Sequence, residues 1–308
     1  MKNFINISDH SSSDLRAIID EAKTRKLSRK GFNKSAPDDD KPFEGMSMAM
    51  IFEKPSTRTR MSFDIAAKQL GGSSIILNPD GIHYGKGDET LKDTAKVLTE
   101  YVDIVMLRTS SHKNLEEFGK HLDIPIINGL SDKSHPCQIM SDVLTYEESN
   151  GSITGKTVSW LGDGDNNMSN SLIEAAGKFK FNLKIGCPKK YAPGKKILGW
   201  AKKNKVNLLI TQKPDEAVKN SDCVMTDKWV SMNDKVNKKT KKKVLKPFQV
   251  NKKLMKKANS NAIFMHCLPV GRGEEVTDEV IDGKQSVVWR QALNRVHAQK
   301  SIIKWCLD

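Results

Sequence analysis

Nowhere in this 308-residue chain does an apolar run approach the roughly 20 residues needed to cross a bilayer, which excludes a helical membrane protein. Cysteine is scarce and unpaired. Cys137, Cys187, Cys223, Cys267 and Cys306 are odd in number, widely spread and free of any Cys-x-x-Cys pair, which argues against a disulfide framework or a structural zinc. They read as reduced cytosolic thiols. Met1 to Asp20 lacks the continuous apolar core of a secretory signal, because Lys2, Asp9, Asp14, Arg16 and Asp20 interrupt it. The mature chain is therefore expected to start near Met1 and to stay in the cytoplasm. Internal repeats are absent, and aromatics are missing where a nucleic-acid reader would need them. Asp234 to Lys257 carries eleven lysines with Phe248 as its one aromatic. That stretch reads as a solvated mobile loop followed by a lysine-faced helix, and no nucleic-acid partner is expected.

What is present is enough chain for about two domains, each able to bury its own apolar core. Lys plus Arg number 51 against 37 Asp plus Glu, a formal charge of +14. By itself that surplus fits nucleic acid, an acidic membrane or a small anionic substrate. Short β-branched runs alternate with helical patterns, which predicts an α/β protein with parallel sheets. Strands are predicted at Met46 to Phe52, Ser73 to Leu77, Val102 to Leu107, Pro125 to Ile127, Thr157 to Leu161, Leu183 to Gly186, Val206 to Ile210, Cys223 to Thr226, Ala262 to His266 and Ser286 to Val288. The turn-rich stretch Glu147 to Lys156 is the predicted seam. Gln291 to Cys306 reads as an amphipathic helix able to pack on either half.

Five clusters could carry chemistry, and all follow predicted strands or open predicted helices. Phe52-Glu53-Lys54-Pro55-Ser56-Thr57-Arg58-Thr59-Arg60 offers hydroxyls, free amide donors and guanidinium groups at a helix start, a setting for a phosphate dianion. Equally, Ser56 or Thr57 could simply cap a helix with solvated arginines. Ser134-His135-Pro136-Cys137-Gln138 aims an imidazole and a carboxamide from the first turn of a helix, where they could polarise a carbonyl. Two such residues are too few for a zinc site. Trp160 to Asn167 resembles a dinucleotide fingerprint but lacks its third small residue and its distal acid. There Asp163 and Asp165 suit an amino-acid ammonium and Asn167 its carboxylate better than a pyrophosphate. Asp227-Lys228-Trp229-Val230-Ser231-Met232 and Met265-His266-Cys267-Leu268-Pro269 complete the set. Read blandly, Trp229 and Met232 are core, Cys267 a small buried hydrophobe and His266 a satisfied loop residue. Ligands of open α/β sheets bind beyond the carboxyl ends of strands, so five clusters there outweigh any one motif.

Taken together, in this order and spacing, the clusters resemble the aspartate/ornithine carbamoyltransferase family. Ser-Thr-Arg-Thr-Arg and His-Pro-x-Gln are shared by both branches. Asp-x-Trp-Val-Ser-Met, His-Cys-Leu-Pro, Arg272-Gly273-Glu274-Glu275-Val276-Thr277 and Asn294-Arg295 are similar to the ornithine branch. The resemblance spans essentially the whole chain. It implies two doubly wound parallel-sheet domains with the active site in the cleft between them. A carbamoyl phosphate-binding domain would cover 1–147, an ornithine-binding domain 148–290, and a C-terminal helix, 291–308, would return to the first domain.

The resemblance further implies transfer of a carbamoyl group from carbamoyl phosphate to the δ-amine of L-ornithine. Ser56, Thr57, Arg58 and Thr59 would hold the phosphate, and Arg108 would bridge phosphate and carbonyl oxygen. His135 and Gln138 would complete the carbamoyl pocket, with Cys267, Leu268 and Arg295 at the carbamoyl end. Asn167, Asp227, Ser231 and Met232 would hold ornithine. Arg108, His135, Asp227 and Cys267 are the expected catalytic residues. No metal, organic cofactor or covalent intermediate is expected, and the assembly would be a homotrimer in which the loop bearing His83 reaches into a neighbouring subunit's site, where His83 would bind carbamoyl phosphate. Three positions depart from the family pattern: Asn233 replaces a glycine, His83 a glutamine, and Trp289-Arg290-Gln291-Ala292-Leu293 an acidic run. A transferase for aspartate, putrescine or an acylated ornithine is the enzymatic alternative, and a non-catalytic binding protein is the alternative from another class.

Overall fold

The computed structural model describes residues 2–78, 89–230 and 237–308. The chain divides into two compact units, Met1–Leu144 with Leu293–Asp308, and Thr145–Ala292. Both divisions fall inside helices.

The first unit contains α1 (Ser12–Ser28), β1 (Ser47–Phe52), α2 (Thr57–Gln69), β2 (Ser73–Leu77), α3 (Leu91–Tyr101), β3 (Ile104–Arg108), α4 (His112–Lys120), β4 (Ile126–Leu130) and the start of α5 (Pro136–Asn150). Its strands pair in parallel in the order β2-β1-β3-β4. A parallel sheet covered on both faces needs apolar side chains on both, and Met48 to Phe52 are accordingly all buried. Hydroxyl residues start the helices. Ser11, Ser56, Thr90 and Ser111 each accept a hydrogen bond from the amide three residues on.

The second unit runs β5 (Thr157–Leu161), α6 (Asn167–Phe179), β6 (Asn182–Gly186), α7 (Lys195–Lys203), β7 (Leu208–Thr211), α8 (Pro214–Val218), β8 (Cys223–Thr226), α9 (Lys238–Leu245), α10 (Lys252–Met255), β9 (Ile263–His266) and α11 (Asp278–Ile281). Its five strands are parallel in the order β7-β6-β5-β8-β9. Each sheet thus starts at an inner strand, winds outward and resumes on the other side. The reversal lies between β1 and β3 in one sheet and between β5 and β8 in the other. These are the points where the loops after two neighbouring strands diverge and leave room for a ligand.

Two strand predictions need correction. Ser286 to Val288 forms no strand: Ser286 makes a single bridge to Phe264, and α12 (Val288–Leu307) begins at once. β4 is longer than predicted because it runs through Asn128-Gly129, residues that usually mark turns. A Cβ at Gly129 would overlap the Met106 sulfur, so the glycine lets β4 lie against β3. Asn128, fully buried, donates instead to Ile5 O and Ser134 Oγ, both at 2.9 Å.

The last part of α12 belongs to the first unit and carries two buried ionisable groups into it. Lys300 Nζ reaches Asp38 at 2.6 Å. His297 has its imidazole held down at about 3 by burial and by Lys300, Lys26 and Arg29. Because the folded value lies below the unfolded one of about 6.5, the unfolded chain alone takes up this proton as pH falls. The stability this neutral ring contributes is complete above pH 6.5 and is lost progressively down to pH 3. Urea unfolding at pH 6.5, 5.5 and 4.5 should therefore give a shallower acid limb for His297→Gln, by up to about 1.4 kcal/mol per pH unit. An unchanged slope would remove His297 from the acid response.

Candidate active site

The register of the first sheet brings one group of candidates together. Phe52 at the end of β1 pairs with Arg108 at the end of β3, and Glu53 N–H donates to Arg108 O at 3.0 Å. Four residues further on, Ser56 caps α2 by accepting from Thr59 N at 3.3 Å. This capping reading of Ser56 is correct, and it orients the first turn so that Thr59 faces inward. Arg108 Nη1 donates to Thr59 Oγ1 at 3.2 Å, and Arg295 Nη2 donates to the same oxygen at 2.9 Å. Arg295 Nη1 also donates to Gln138 Oε1, while Gln138 Nε2 donates to Asp142 Oδ1 at 2.8 Å. Thr59, His135, Gln138 and Arg295 are all buried, whereas Ser56, Arg58 and Arg108 are half-buried and Thr57 is exposed.

Three guanidinium groups act on His135. Burial first, then Arg295, Arg108 and Arg58, holds its imidazole well below the usual histidine range. The ring is thus neutral at physiological pH and can offer one N–H to a carbonyl oxygen without becoming an acid. Two guanidinium groups meeting at one hydroxyl repel one another, and a phosphate dianion would relieve that repulsion. Arg60, the other arginine of the motif, turns elsewhere: it donates to Asn78 Oδ1 at 2.7 Å and lies 5.2 Å from the Phe52 ring centroid. Cys137 is structural, its thiol buried, pushed up to about 12 and donating to Asn128 O. Asp142, which holds Gln138, lies outside the five sequence clusters, although its spacing of four in a helix is a readable signal.

Register does the same in the second sheet. Thr226 and His266, last residues of β8 and β9, are paired, so the next residue of each strand meets the other. Cys267 Sγ donates to Asp227 Oδ1 at 3.1 Å, and Lys228 N–H donates to the same oxygen at 2.7 Å. Ligand atoms of Asp227, His266 and Cys267 lie within 4.8 Å of one another. His266, however, accepts the Leu268 N–H at Nδ1, 2.8 Å away, and turns Nε2 toward Glu275 Oε1 at 3.3 Å. Leu268 itself has φ +59 and is half-buried. Asn167 is the first residue of α6, behind the Asn166 cap.

Two expectations for this unit are corrected. Asp163 does not serve as a free ammonium acceptor, because its Oδ2 is 2.6 Å from Lys241 Nζ and both side chains are buried. Lys241 in turn departs from the solvated lysine face predicted for its segment. It buries its stem beside Tyr191 and reaches a carboxylate that five other described lysines of the same stretch, from Lys238 to Lys246, leave alone. Trp229 is core, packed with Val230 and Leu245, and its indole lies against Gly162. Gly162 has φ +116, and a Cβ there would sit 3.1 Å from Trp229 Nε1, so the turn after β5 requires glycine. His83, Ser231 and Met232 lie outside the described residues.

Residues 2–148 match the family model described as the aspartate/ornithine carbamoyltransferase carbamoyl-P binding domain, and residues 154–306 match the Asp/Orn binding domain of the same family. An ornithine carbamoyltransferase of Brucella ovis is 49% identical over 308 residues, covering 100% of this chain and 96% of that protein. One from Rhizobium meliloti is 48% identical over 306 residues, covering 99% and 98%. Among solved structures, ornithine carbamoyltransferase from Pyrococcus furiosus superposes with a TM-score of 0.91 at 41% identity, covering 98% of this chain and 96% of that one. The anabolic ornithine carbamoyltransferase of Campylobacter jejuni gives 0.89 at 35%, covering 99% of each. With both halves matched and identity near one half along its full length, the chain belongs to the aspartate/ornithine carbamoyltransferase family.

Proposed function

We propose that this protein is an ornithine carbamoyltransferase, which moves the carbamoyl group of carbamoyl phosphate to the δ-amine of L-ornithine and releases L-citrulline and phosphate. The observation that carries the reading is the first-unit cluster, where Arg108 and Arg295 meet at Thr59 beside a neutral His135. A dianionic leaving group with an adjacent carbonyl fits it. In this reading Ser56, Thr57, Arg58 and Thr59 hold the phosphate, Arg108 bridges phosphate and carbonyl oxygen, and His135, Gln138 and Arg295 hold the carbamoyl group. Asn167 and Asp227, with Ser231 and Met232, hold ornithine, while Cys267 and Leu268 serve the reacting end.

The chemistry sets what each group must do. Ornithine's δ-ammonium, with an ordinary value near the lysine figure of about 10.4, must lose a proton before its nitrogen can attack. Asp227 orients that group, and its bond from Cys267 keeps the carboxylate aimed along the end of β8. Attack on the carbonyl carbon places negative charge on its oxygen, which the Arg108 guanidinium and the neutral His135 ring stabilise. The carbon–oxygen bond to phosphate then breaks, the departing phosphate oxygen takes up the proton that the attacking nitrogen sheds, and the phosphate leaves as a dianion onto Arg58, Arg108 and the amides of the α2 start.

We also infer a homotrimer working in arginine biosynthesis in the cytoplasm. Its support is a set of exposed apolar residues on the first unit, Met61, Ile75, Ile76, Val97 and Tyr101, two of them on edge strand β2. None of the five cysteines forms a disulfide, and no helix among the described residues is long and apolar enough to cross a membrane. A competition assay supplying carbamoyl phosphate with ornithine, aspartate, putrescine and acetylornithine should yield citrulline as the main product. Sedimentation of the same sample should give three times the chain mass of 34.4 kDa. Preferential reaction of aspartate or putrescine would reject the ornithine assignment.

A further inference from the structure

Beneath Cys267 lies a pair of side chains that no step above uses. His266 and Glu275 are both inaccessible to solvent, and each makes contacts that shape the chain between them. His266 Nδ1 accepts the Leu268 N–H at 2.8 Å, two residues ahead, just where the backbone leaves β9 and Leu268 takes φ +59. Glu275 Oε1 accepts the Gly271 N–H and faces His266 Nε2 at 3.3 Å. From behind, the Gln291 carboxamide oxygen accepts the His266 N–H at 2.9 Å. The Glu275 carboxyl group therefore sits at the root of the turn, between its two anchoring points.

An imidazole has one acceptor nitrogen only when neutral, and which nitrogen accepts depends on where the proton is held. A carboxyl oxygen facing Nε2 keeps the proton there. Nδ1 is then left as the acceptor the Leu268 amide needs. Were the proton on Nδ1, two N–H groups would face one another and the turn could not close in this form. Its closure determines where Cys267 points, and Cys267 is the partner of Asp227.

We propose that His266 and Glu275 are positioning residues for the reacting end of the site: Glu275 sets the His266 tautomer, and His266 holds the Cys267–Leu268 turn. Neither touches substrate. The catalytic consequence rests on the carbamoyltransferase reading above, whereas the positioning itself does not.

The test uses the full-length protein and four variants. Asparagine keeps an acceptor at the Nδ1 position, so His266→Asn should hold the turn, while His266→Gln should not. Glu275→Gln keeps an acceptor for Nε2–H and for Gly271, while Glu275→Leu removes both. Of the five cysteines only Cys267 is not fully buried, so its alkylation by iodoacetamide, followed by peptide mass spectrometry, reports on the turn without reference to activity. His266→Gln and Glu275→Leu should alkylate at least about threefold faster than wild type as the thiol leaves Asp227. They should also lose roughly 100-fold in kcat, with little change in KM for carbamoyl phosphate, as expected when a reacting group is displaced by about 1 Å. The Asn and Gln counterparts should stay close to wild type in both measures. Unchanged alkylation in His266→Gln, or an equal fall in His266→Asn and His266→Gln, overturns the proposal, and the histidine pair decides it even if Glu275→Leu does not fold. If alkylation shifts as described while wild type makes no citrulline, the carbamoyltransferase reading fails and the positioning role stands.

Discussion

Arg108→Ala is expected to lower citrulline formation by about 10³-fold or more, the range seen when a charged group that stabilises both an oxyanion and a departing phosphate is removed. Position explains the size. Arg108 ends β3 opposite Phe52 of β1, at the point where the sheet reverses its winding, and its Nη1 is already bonded to Thr59 Oγ1. It is therefore prearranged and loses little freedom when substrate arrives. Arg108→Lys should recover only part of the loss, because an ammonium cannot bridge two oxygens with a planar fork. Steady-state assays of both variants, with calorimetric titration of carbamoyl phosphate to separate binding from turnover, check this. Citrulline formation within about tenfold of wild type in Arg108→Ala would place the bridging role elsewhere.

Asp38→Asn should be the most destabilising single change outside the candidate site, by about 3–5 kcal/mol, with a fall in melting temperature of roughly 10 °C. Asp38 is buried and receives three cations: Arg25 at 3.0 Å, Arg29 at 2.6 Å and Lys300 at 2.6 Å. Arg25 has further partners in Asp40 and Glu21. Lys300 is fully buried, and burial brings its ammonium down to about 8 even with Asp38 beside it. Removing that carboxylate leaves a buried cation without its counter-charge. Removing the cation should cost less, since Asp38 keeps two arginines. Lys300→Met combined with Asp38→Asn should therefore be more stable than Asp38→Asn alone, and a double-mutant cycle measures the coupling. Equal stability of Asp38→Asn and wild type would mean that water reaches this cluster.

Much of the fold is legible in the chain because parallel strands buried on both faces leave uninterrupted apolar runs. β5 and β8 have the predicted ends for that reason. Where local chemistry and tertiary need conflict, the reading fails. Asn128 and Gly129 look like a turn until their partners are known, one in Ser134 and the other in Met106. Lys241 looks like its neighbours until Asp163, 78 positions earlier, is brought to it. In the candidate site, the residue types and their strand-end placement are visible in sequence, but adjacency is not. That Asp227 meets Cys267 follows from the pairing of Thr226 with His266, which no local pattern encodes. Glu275 sits in a recognisable motif, yet its service to His266 depends on a turn whose shape only the folded chain reveals.

The return of Leu293–Asp308 to the first unit has a consequence for biogenesis. Arg295, which completes the cluster around Thr59, and Lys300, which neutralises Asp38, are both encoded after the whole of the second unit. At elongation speeds of about 5–20 residues per second, the interval between Leu144 and Leu293 corresponds to roughly 7–30 s during which the nascent first unit exists without either cation. Asp38 is left with its two arginines, and the anion cradle is one guanidinium short. A nascent chain should therefore acquire carbamoyl phosphate affinity late, near termination, so that a ribosome stalled before Arg295 holds a first unit that does not yet sequester the metabolite.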